Sequence, residues 1–270
     1  MPELPEVETT RLGLLPQLQG RTLERIAVRN PHLRWPVPDD LGTRLAGRRL
    51  LGIKRRGKYL LFDFGGPTQL VHLGMSGSLR LVARGEPAAI HDHVDWDFGG
   101  EIVLRLRDPR RFGAVLWTDD AATHPLLAHL GPEPLTPAFD AAYLHAQCQR
   151  RHAAIKPVIM DAHVVVGIGN IYASESLFHA GIRPGTAARR LNRPACQRLV
   201  TAIRQVLGAA IAAGGSSLRD YVHSSGELGY FQLQTRVYDR AGQPCKTCAT
   251  PIRRTLQGQR ASFYCPACQC

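Results

Sequence analysis

The last 26 residues of this 270-residue chain hold five of its seven cysteines. Four of these form two C-x-x-C pairs, Cys245/Cys248 and Cys265/Cys268, with sixteen residues between them. Each pair can present two thiolates to one ion, and the intervening segment has the length of a hairpin. Four thiolates suit a single Zn2+, and a filled tetrahedral set makes that ion structural, with no open position for chemistry. The chain must therefore end in a small metal-held hairpin. Arg253, Arg254 and Arg260 lie between the pairs and give the hairpin a basic tip. Cys270 is left over and is expected to fray, while Cys148 and Cys196 read as isolated, semi-buried thiols.

A basic tip invites the question of overall charge. Lys and Arg total 34 against 22 acidic residues, a formal +12. Such an excess calls for a polyanionic partner, nucleic acid before a membrane surface. The charge is concentrated in "RRLLGIKRRGK" and "RLRDPRRFG", each of which reads equally well as a solvated face. No run of about eighteen apolar residues and no basic-then-apolar leader appears, so a cytoplasmic protein without a signal peptide is expected.

The pattern of elements changes along the chain. A helix is expected from about Glu3 to Leu15, stopped by Pro16. "YLLFDF", "TQLVHLGMSGSLRLV", "HVDWDF", "EIVLRLR" and "AVLWT" then read as strands. The prolines of "LGPEPLTP" mark a boundary. Beyond it, "AAYLHAQCQRRHAAIKPVIM" and "SLFHAGI" read as helical. Leu199, Ile203, Val206, Leu207, Ala210 and Ile211 form one apolar stripe closed by Gly214 and Gly215. "VVVGIGNIYASESLF" joins two helical stretches by a Gly-x-Gly-Asn turn, where close backbone approach and a helix N-terminus would suit a phosphate.

The N-terminus, "PELPEVETT", places Glu3, Glu6 and Glu8 just after Pro2. Proline and acidic residues suit a helix start. With a small second residue, Met1 is expected to be cleaved, which would leave Pro2 a free secondary amine. An α-amine titrates near pH 8, so a useful neutral fraction exists at physiological pH.

"PELPEVET", "GKYL", "HLGMSG", "HDHVD", "DPRRFG", "IKPVIMD", "VGIGNIYASE" and the terminal cysteine hairpin with "QRASFYC" occur in this order. Together they resemble the formamidopyrimidine-DNA glycosylases, base-excision repair enzymes for oxidised purines, over essentially the whole chain. The resemblance implies an α+β chain with an N-terminal catalytic β-sandwich domain flanked by helices at 1–130 and a linker at 131–137. A helical DNA-binding domain with a helix-two-turn-helix would follow at 138–236, then a four-cysteine zinc finger at 237–270. It implies a monomer acting on double-stranded DNA with oxidised bases, with no membrane partner and with one structural Zn2+ as its sole cofactor.

Residue by residue, the resemblance makes Pro2 the nucleophile and Glu3 the general acid, a carboxyl that desolvation would keep protonated. Glu6 would be a supporting carboxylate and Glu8 only a helix residue. Lys58 would serve β-elimination and contact the lesion's phosphate, and Arg260 would serve δ-elimination. Lys156, Asn170, His91 and Arg151 would contact DNA. Arg151 stands where lysine is more usual, which keeps the charge but alters hydrogen-bond geometry. Met75, Arg110 and Phe112 would fill the hole left by an extruded base, Arg110 also touching DNA. The stretch Ser224 to Asp239 would form a loop over that base. His91 and His93 can also be read as an H-x-H metal pair, although no third ligand is evident. Two alternatives stay open: an endonuclease VIII-like glycosylase for oxidised pyrimidines, against which "PELPEVE" and "DPRRFG" count, and a zinc-containing DNA-binding protein without catalysis.

Overall fold

The computed structural model describes residues 2–215 and 235–270. The expected lesion loop therefore lies outside the described residues up to position 234. The chain divides into two compact units. One takes the described residues up to Ala128 with 213–215, the other His129–Ala212 with 235–270.

The first unit opens with α1, Leu4–Leu18, which buries Leu4, Val7, Leu14 and Leu18. The helix does not stop at Leu15. It runs through Pro16, whose missing N–H leaves the Leu12 carbonyl without its helical donor. Leu12 is exposed, so water can take that donor's place. Eight strands follow: β1 Arg25–Val28, β2 Gly52–Arg56, β3 Tyr59–Asp63, β4 Thr68–His72, β5 Ser78–Ala83, β6 Asp92–Asp97, β7 Ile102–Arg107 and β8 Ala114–Thr118, with the short helix α2, Leu41–Leu45, between β1 and β2. They form two four-stranded antiparallel sheets, ordered β1-β6-β7-β5 and β2-β3-β4-β8. Leu60, Phe62 and Val71 from one sheet join Leu79, Val94, Trp96, Leu104 and Leu106 from the other in a single apolar core, with Leu14 and Leu18 of α1 against it. This is the expected sandwich.

β1 and β2 were hidden inside basic stretches. On the outer face, Asp95 of β6 stands opposite Arg105 of β7 and also receives both Nη1 and Nη2 of Arg29. Arginines 48, 49 and 55 are likewise spent on the Arg44 carbonyl, the Gly20 carbonyl and the Glu8 carboxylate. In each arginine cluster one member, Arg55 in the first and Arg105 in the second, is thus held in an internal ion pair, while Arg48 and Arg49 remain exposed.

In the second unit, "AAYLHAQCQRRHAAIKPVIM" is two helices, α3 Ala141–Gln149 and α4 Ile155–Met160. Pro157 is the third residue of α4, among the four positions whose N–H has no helical acceptor, so here proline marks a start. Helix α5, Asn170–His179, is buried from Ile171 to Phe178. Helix α6, Arg193–Ala212, carries the expected stripe inward, with Ile211 half-buried at its edge. Cys148 and Cys196 are not isolated: both are fully buried, and they neighbour each other where α3 packs on α6. The pair β9 Arg253–Gln257 and β10 Arg260–Tyr264 closes through Gly258 and Gln259, both at positive φ (53° and 64°), the geometry of a type I′ turn. Cys270 does not fray. Its N–H donates to the Gly181 carbonyl (3.1 Å) and its carbonyl accepts from Arg183 N–H (3.0 Å). No helix among the described residues is long and apolar enough to cross a membrane.

Candidate active site

Pro2 and Glu3 are buried at the entry to α1, with Glu3 only 2% exposed. Glu3 is the N-cap residue. Its side chain accepts the Glu6 N–H, and the Glu6 carboxylate accepts the Glu3 N–H at 2.8 Å, a reciprocal capping box. The helix-start reading of the carboxylates is thus correct locally, and the cap fixes both side chains beside Pro2. Gly215, at φ +80°, lies so close that a Cβ there would sit 3.1 Å from Glu6 Oε1.

Glu8 does more than decorate the helix. It takes Arg11 (2.6 Å) on one oxygen and Arg55 (2.8 Å) on the other, and Arg55 also donates to the Gly57 carbonyl at 3.1 Å. Gly57 and Lys58 form the two-residue turn joining β2 to β3, with Gly57 at φ +57° as a type II′ turn requires. The chain Glu8–Arg55–Gly57 therefore ties the Lys58 turn to the helix that carries Glu3 and Glu6. Burial alone would raise the Glu8 pKa, but the two guanidiniums outweigh it and hold the carboxyl below its ordinary range. The stabilisation from this group is present above its unfolded pKa of about 4.5 and is lost as pH falls through the lower folded value. Glu8→Gln is expected to lower unfolding free energy by about 1–2 kcal/mol at pH 7 and by almost nothing below about pH 3, as measured by urea titration at the two pH values.

A second cluster gathers around His72 and Asp108. His72 stacks on Tyr59 with centroids 4.8 Å apart, and its Nδ1 accepts the Gly74 N–H at 3.0 Å. Burial, then the nearby charges of Lys58 and Arg34, push its pKa down to about 4, so the ring is neutral beside the lysine. Gly74, at φ +63°, approaches the other loop so closely that a Cβ would lie 2.4 Å from the Phe112 carbonyl carbon. Met75 and Phe112 flank this contact and are 38% and 42% exposed, large apolar groups held in solvent. The Arg110 guanidinium lies 4.8 Å over the Phe112 ring. His91 is half-buried and its carbonyl accepts the Asp108 N–H at 2.9 Å. His93 is the extra residue of a β-bulge, which aims its Nε2–H at the Asp108 carbonyl (2.9 Å). It is thus engaged in structure, and the H-x-H pair gains no third ligand among the described residues.

In the second unit, Lys156 is 1% exposed, and its ammonium donates to Asn170 Oδ1 (2.7 Å), the Ala261 carbonyl (2.9 Å) and Ser262 Oγ (2.7 Å). One cation thus binds α4, the first residue of α5, and β10 next to Arg260. Lys156, Asp161, Gln257 and Arg260 line a cleft of about 250 Å³. Arg151 stands apart, its Nη1 held at 2.7 Å by both oxygens of Gln147. The Sγ atoms of Cys245, Cys248, Cys265 and Cys268 lie within 4.8 Å of one another, with near pairs at 3.4–4.0 Å. Zn–S bonds of about 2.3 Å in a tetrahedron place sulfurs about 3.8 Å apart, so the donor set and its spacing fit the ion.

Three family models match the chain in order: the formamidopyrimidine-DNA glycosylase N-terminal domain over 1–115, the H2TH domain of the same glycosylase over 130–222, and a zinc finger found in FPG and IleRS over 242–269. The chain belongs to the formamidopyrimidine-DNA glycosylase family. A formamidopyrimidine-DNA glycosylase of Thiobacillus denitrificans is 76% identical over 269 residues, covering 100% of both chains. The crystal structure of the MutM (Fpg) protein of Thermus thermophilus superposes with a TM-score of 0.90 at 37% identity, covering 99% of this chain and 98% of that one. A Lactococcus lactis FPG mutant in complex with Fapy-dG containing DNA gives 0.92 at 32% identity, covering 99% of each. As in this glycosylase family's finger, the four cysteines hold one structural zinc ion.

Within the glycosylase fold the residues expected from resemblance separate into three groups: Pro2, Glu3 and Glu6 with the Lys58 turn; His91, Met75, Arg110 and Phe112; and Lys156, Asn170 and Arg260. Sequence reasoning missed His72, Gly74 and Asp108, and took Gly215 only as the end of a helix. It also missed Glu175, whose buried carboxylate accepts the N–H groups of Arg236, Val237 and Tyr238 at 2.8–3.0 Å. "HLGMSG" and "DPRRFG" contain three of these, but their roles lie in contacts between segments that spacing does not reveal.

Proposed function

We propose that the chain is a bifunctional DNA glycosylase and abasic-site lyase that excises 8-oxoguanine and formamidopyrimidines from duplex DNA. Once Met1 is removed, the Pro2 amine attacks C1′ of the damaged nucleotide, the N-glycosidic bond breaks, and the base leaves with a proton. Glu3 protonates the ring oxygen as the sugar opens, giving an iminium ion on Pro2. That cation accepts the electron pair released when the C2′ proton is removed, so the 3′ phosphate departs; a second elimination expels the 5′ phosphate. Lys58 serves the first elimination and Arg260 the second. Glu6 supports the nucleophile's helix. His91, Arg110, Arg151, Lys156 and Asn170 hold the DNA, while Met75, Arg110 and Phe112 fill the vacated stack.

The observation that carries this reading is the burial of Pro2 and Glu3 at a capped helix start, in a chain matched by its family from end to end. The activity named for the relatives and the Fapy-dG complex of the Lactococcus lactis protein support the purine substrate. The test is borohydride trapping on duplexes containing 8-oxoguanine or thymine glycol, followed by peptide mapping. A covalent adduct at Pro2 on the first duplex, formed much faster than on the second, is the expected result. Faster trapping on thymine glycol would favour the pyrimidine-directed enzyme. Binding without any adduct would favour a non-catalytic DNA-binding protein, and an adduct on an internal lysine would overturn the role of Pro2.

A further inference from the structure

The geometry points to Asp108 as the positioning residue that assembles the void-filling triad before DNA arrives. The inference rests on the repair function proposed above and deepens it. Asp108 is fully buried, yet it touches every segment that carries a member of the triad. Its Oδ1 accepts Ser76 Oγ–H (3.0 Å), one residue after Met75. Its Oδ2 accepts Gly113 N–H (2.8 Å), one residue after Phe112. Ser76 Oγ in turn accepts the Arg110 N–H (3.2 Å), so Arg110 reaches the carboxylate through a hydroxyl relay. The main chain of Asp108 joins the same network. Its N–H donates to His91, and its carbonyl takes both His93 Nε2–H and the Arg111 N–H (3.2 Å).

Arg111 stands at φ +56°, a conformation that costs a non-glycine residue of order 1 kcal/mol or more and persists only where surroundings enforce it. The surroundings that do so are the Asp108 bonds and the backbone contact at Gly74. The outcome is a Met, an Arg and a Phe presented to solvent, with the guanidinium already stacked on the ring. A wedge ordered in advance does not have to be ordered while the base is being unstacked, which is where such organisation lowers the barrier.

A residue of this kind acts through Phe112 and its neighbours, so its loss should be felt only where a stack must be refilled. The experiment compares wild type, Asp108→Asn and Ser76→Ala on two substrates under single turnover: 8-oxoguanine in a duplex, and an abasic site in a single-stranded oligonucleotide, which has no stack to fill. The expected result for Asp108→Asn is about a hundredfold fall in the saturating single-turnover rate for the duplex, less than threefold change in the enzyme concentration that half-saturates it, and less than threefold change on the single strand. Ser76→Ala, which removes only the relay and leaves the buried carboxylate in place, is expected to fall about tenfold on the duplex alone. In a Phe112→Ala background, Asp108→Asn should cost less than a further threefold, because the wedge it positions is gone. An equal loss on both substrates, full additivity with Phe112→Ala, or unchanged duplex excision in both single variants would overturn the proposal. Wild-type inactivity on both substrates would overturn the repair reading itself, and the positioning role with it.

Discussion

Stripping the zinc ion, by a strong chelator or through Cys248→Ser, is expected to unfold the finger while leaving the sandwich unit folded. Binding of a structural zinc is worth about 10–16 kcal/mol in small finger peptides, and that free energy is folding free energy. The finger has little else. Its apolar cluster consists of Val237, Ile252 and Phe263 with two of the cysteines, packed on Phe178 of α5. The damage should spread along one defined route. Loss of β10 removes the Ala261 carbonyl and Ser262 hydroxyl from Lys156, leaving a buried ammonium short of acceptors. Affinity for duplex DNA should then fall about a hundredfold at fixed salt, or about 2.7 kcal/mol. The slope of log K against log salt should shrink by about two, for the phosphates no longer met. Fluorescence anisotropy at several salt concentrations, with a thiol-competing zinc dye to count the ion, measures both. Unchanged affinity after complete zinc release would show that the finger carries no part of DNA binding.

Glu3→Gln is expected to lower base excision by about 10²–10⁴-fold, the usual range for removing a general acid. The substitution is discriminating because glutamine still offers an oxygen to the Glu6 N–H and can keep the cap. The proton donor is lost while the helix start remains. On a preformed abasic site the sugar already equilibrates with its open-chain aldehyde and needs no acid to open its ring, so the loss there should be about tenfold or less. Single-turnover cleavage of both oligonucleotides gives the comparison, and a melting curve confirms the fold. Equal losses on both substrates, or a cap penalty beyond about 2 kcal/mol, would assign Glu3 to structure alone.

The metal site was legible because ligand spacing is local: two pairs and a hairpin-length gap suffice to define Cys245, Cys248, Cys265 and Cys268. The strands of the sandwich were legible where apolar residues cluster, as in "YLLFDF" and "AVLWT". β1 and β2 were missed because charges in or next to them are paired across the structure, Arg29 just after β1 with Asp95 and Arg55 of β2 with Glu8, and such pairing has no periodic signature. Proline misled once: Pro16, read as a stop, sits where an exposed carbonyl can go to water. The proposed roles of Pro2, Glu3, Lys58 and Arg260 came from resemblance, since no rule of spacing singles out a terminal amine as a nucleophile. Asp108, His72 and Gly74 stayed hidden inside motifs whose other letters drew the attention. Their work is done across dozens of residues, as with Ser76 and Asp108, and only coordinates reveal it.

Three separately recognisable segments suggest a modular enzyme with parts exchangeable like cassettes. Lys156 argues otherwise. Because its one charge is shared between a helix, the head of the next helix and a finger strand, a transplanted finger lacking a hydroxyl at the place of Ser262 would strand that ammonium. Helices and finger in this family are therefore expected to travel as a matched set, and chimaeras should be cut upstream of α4.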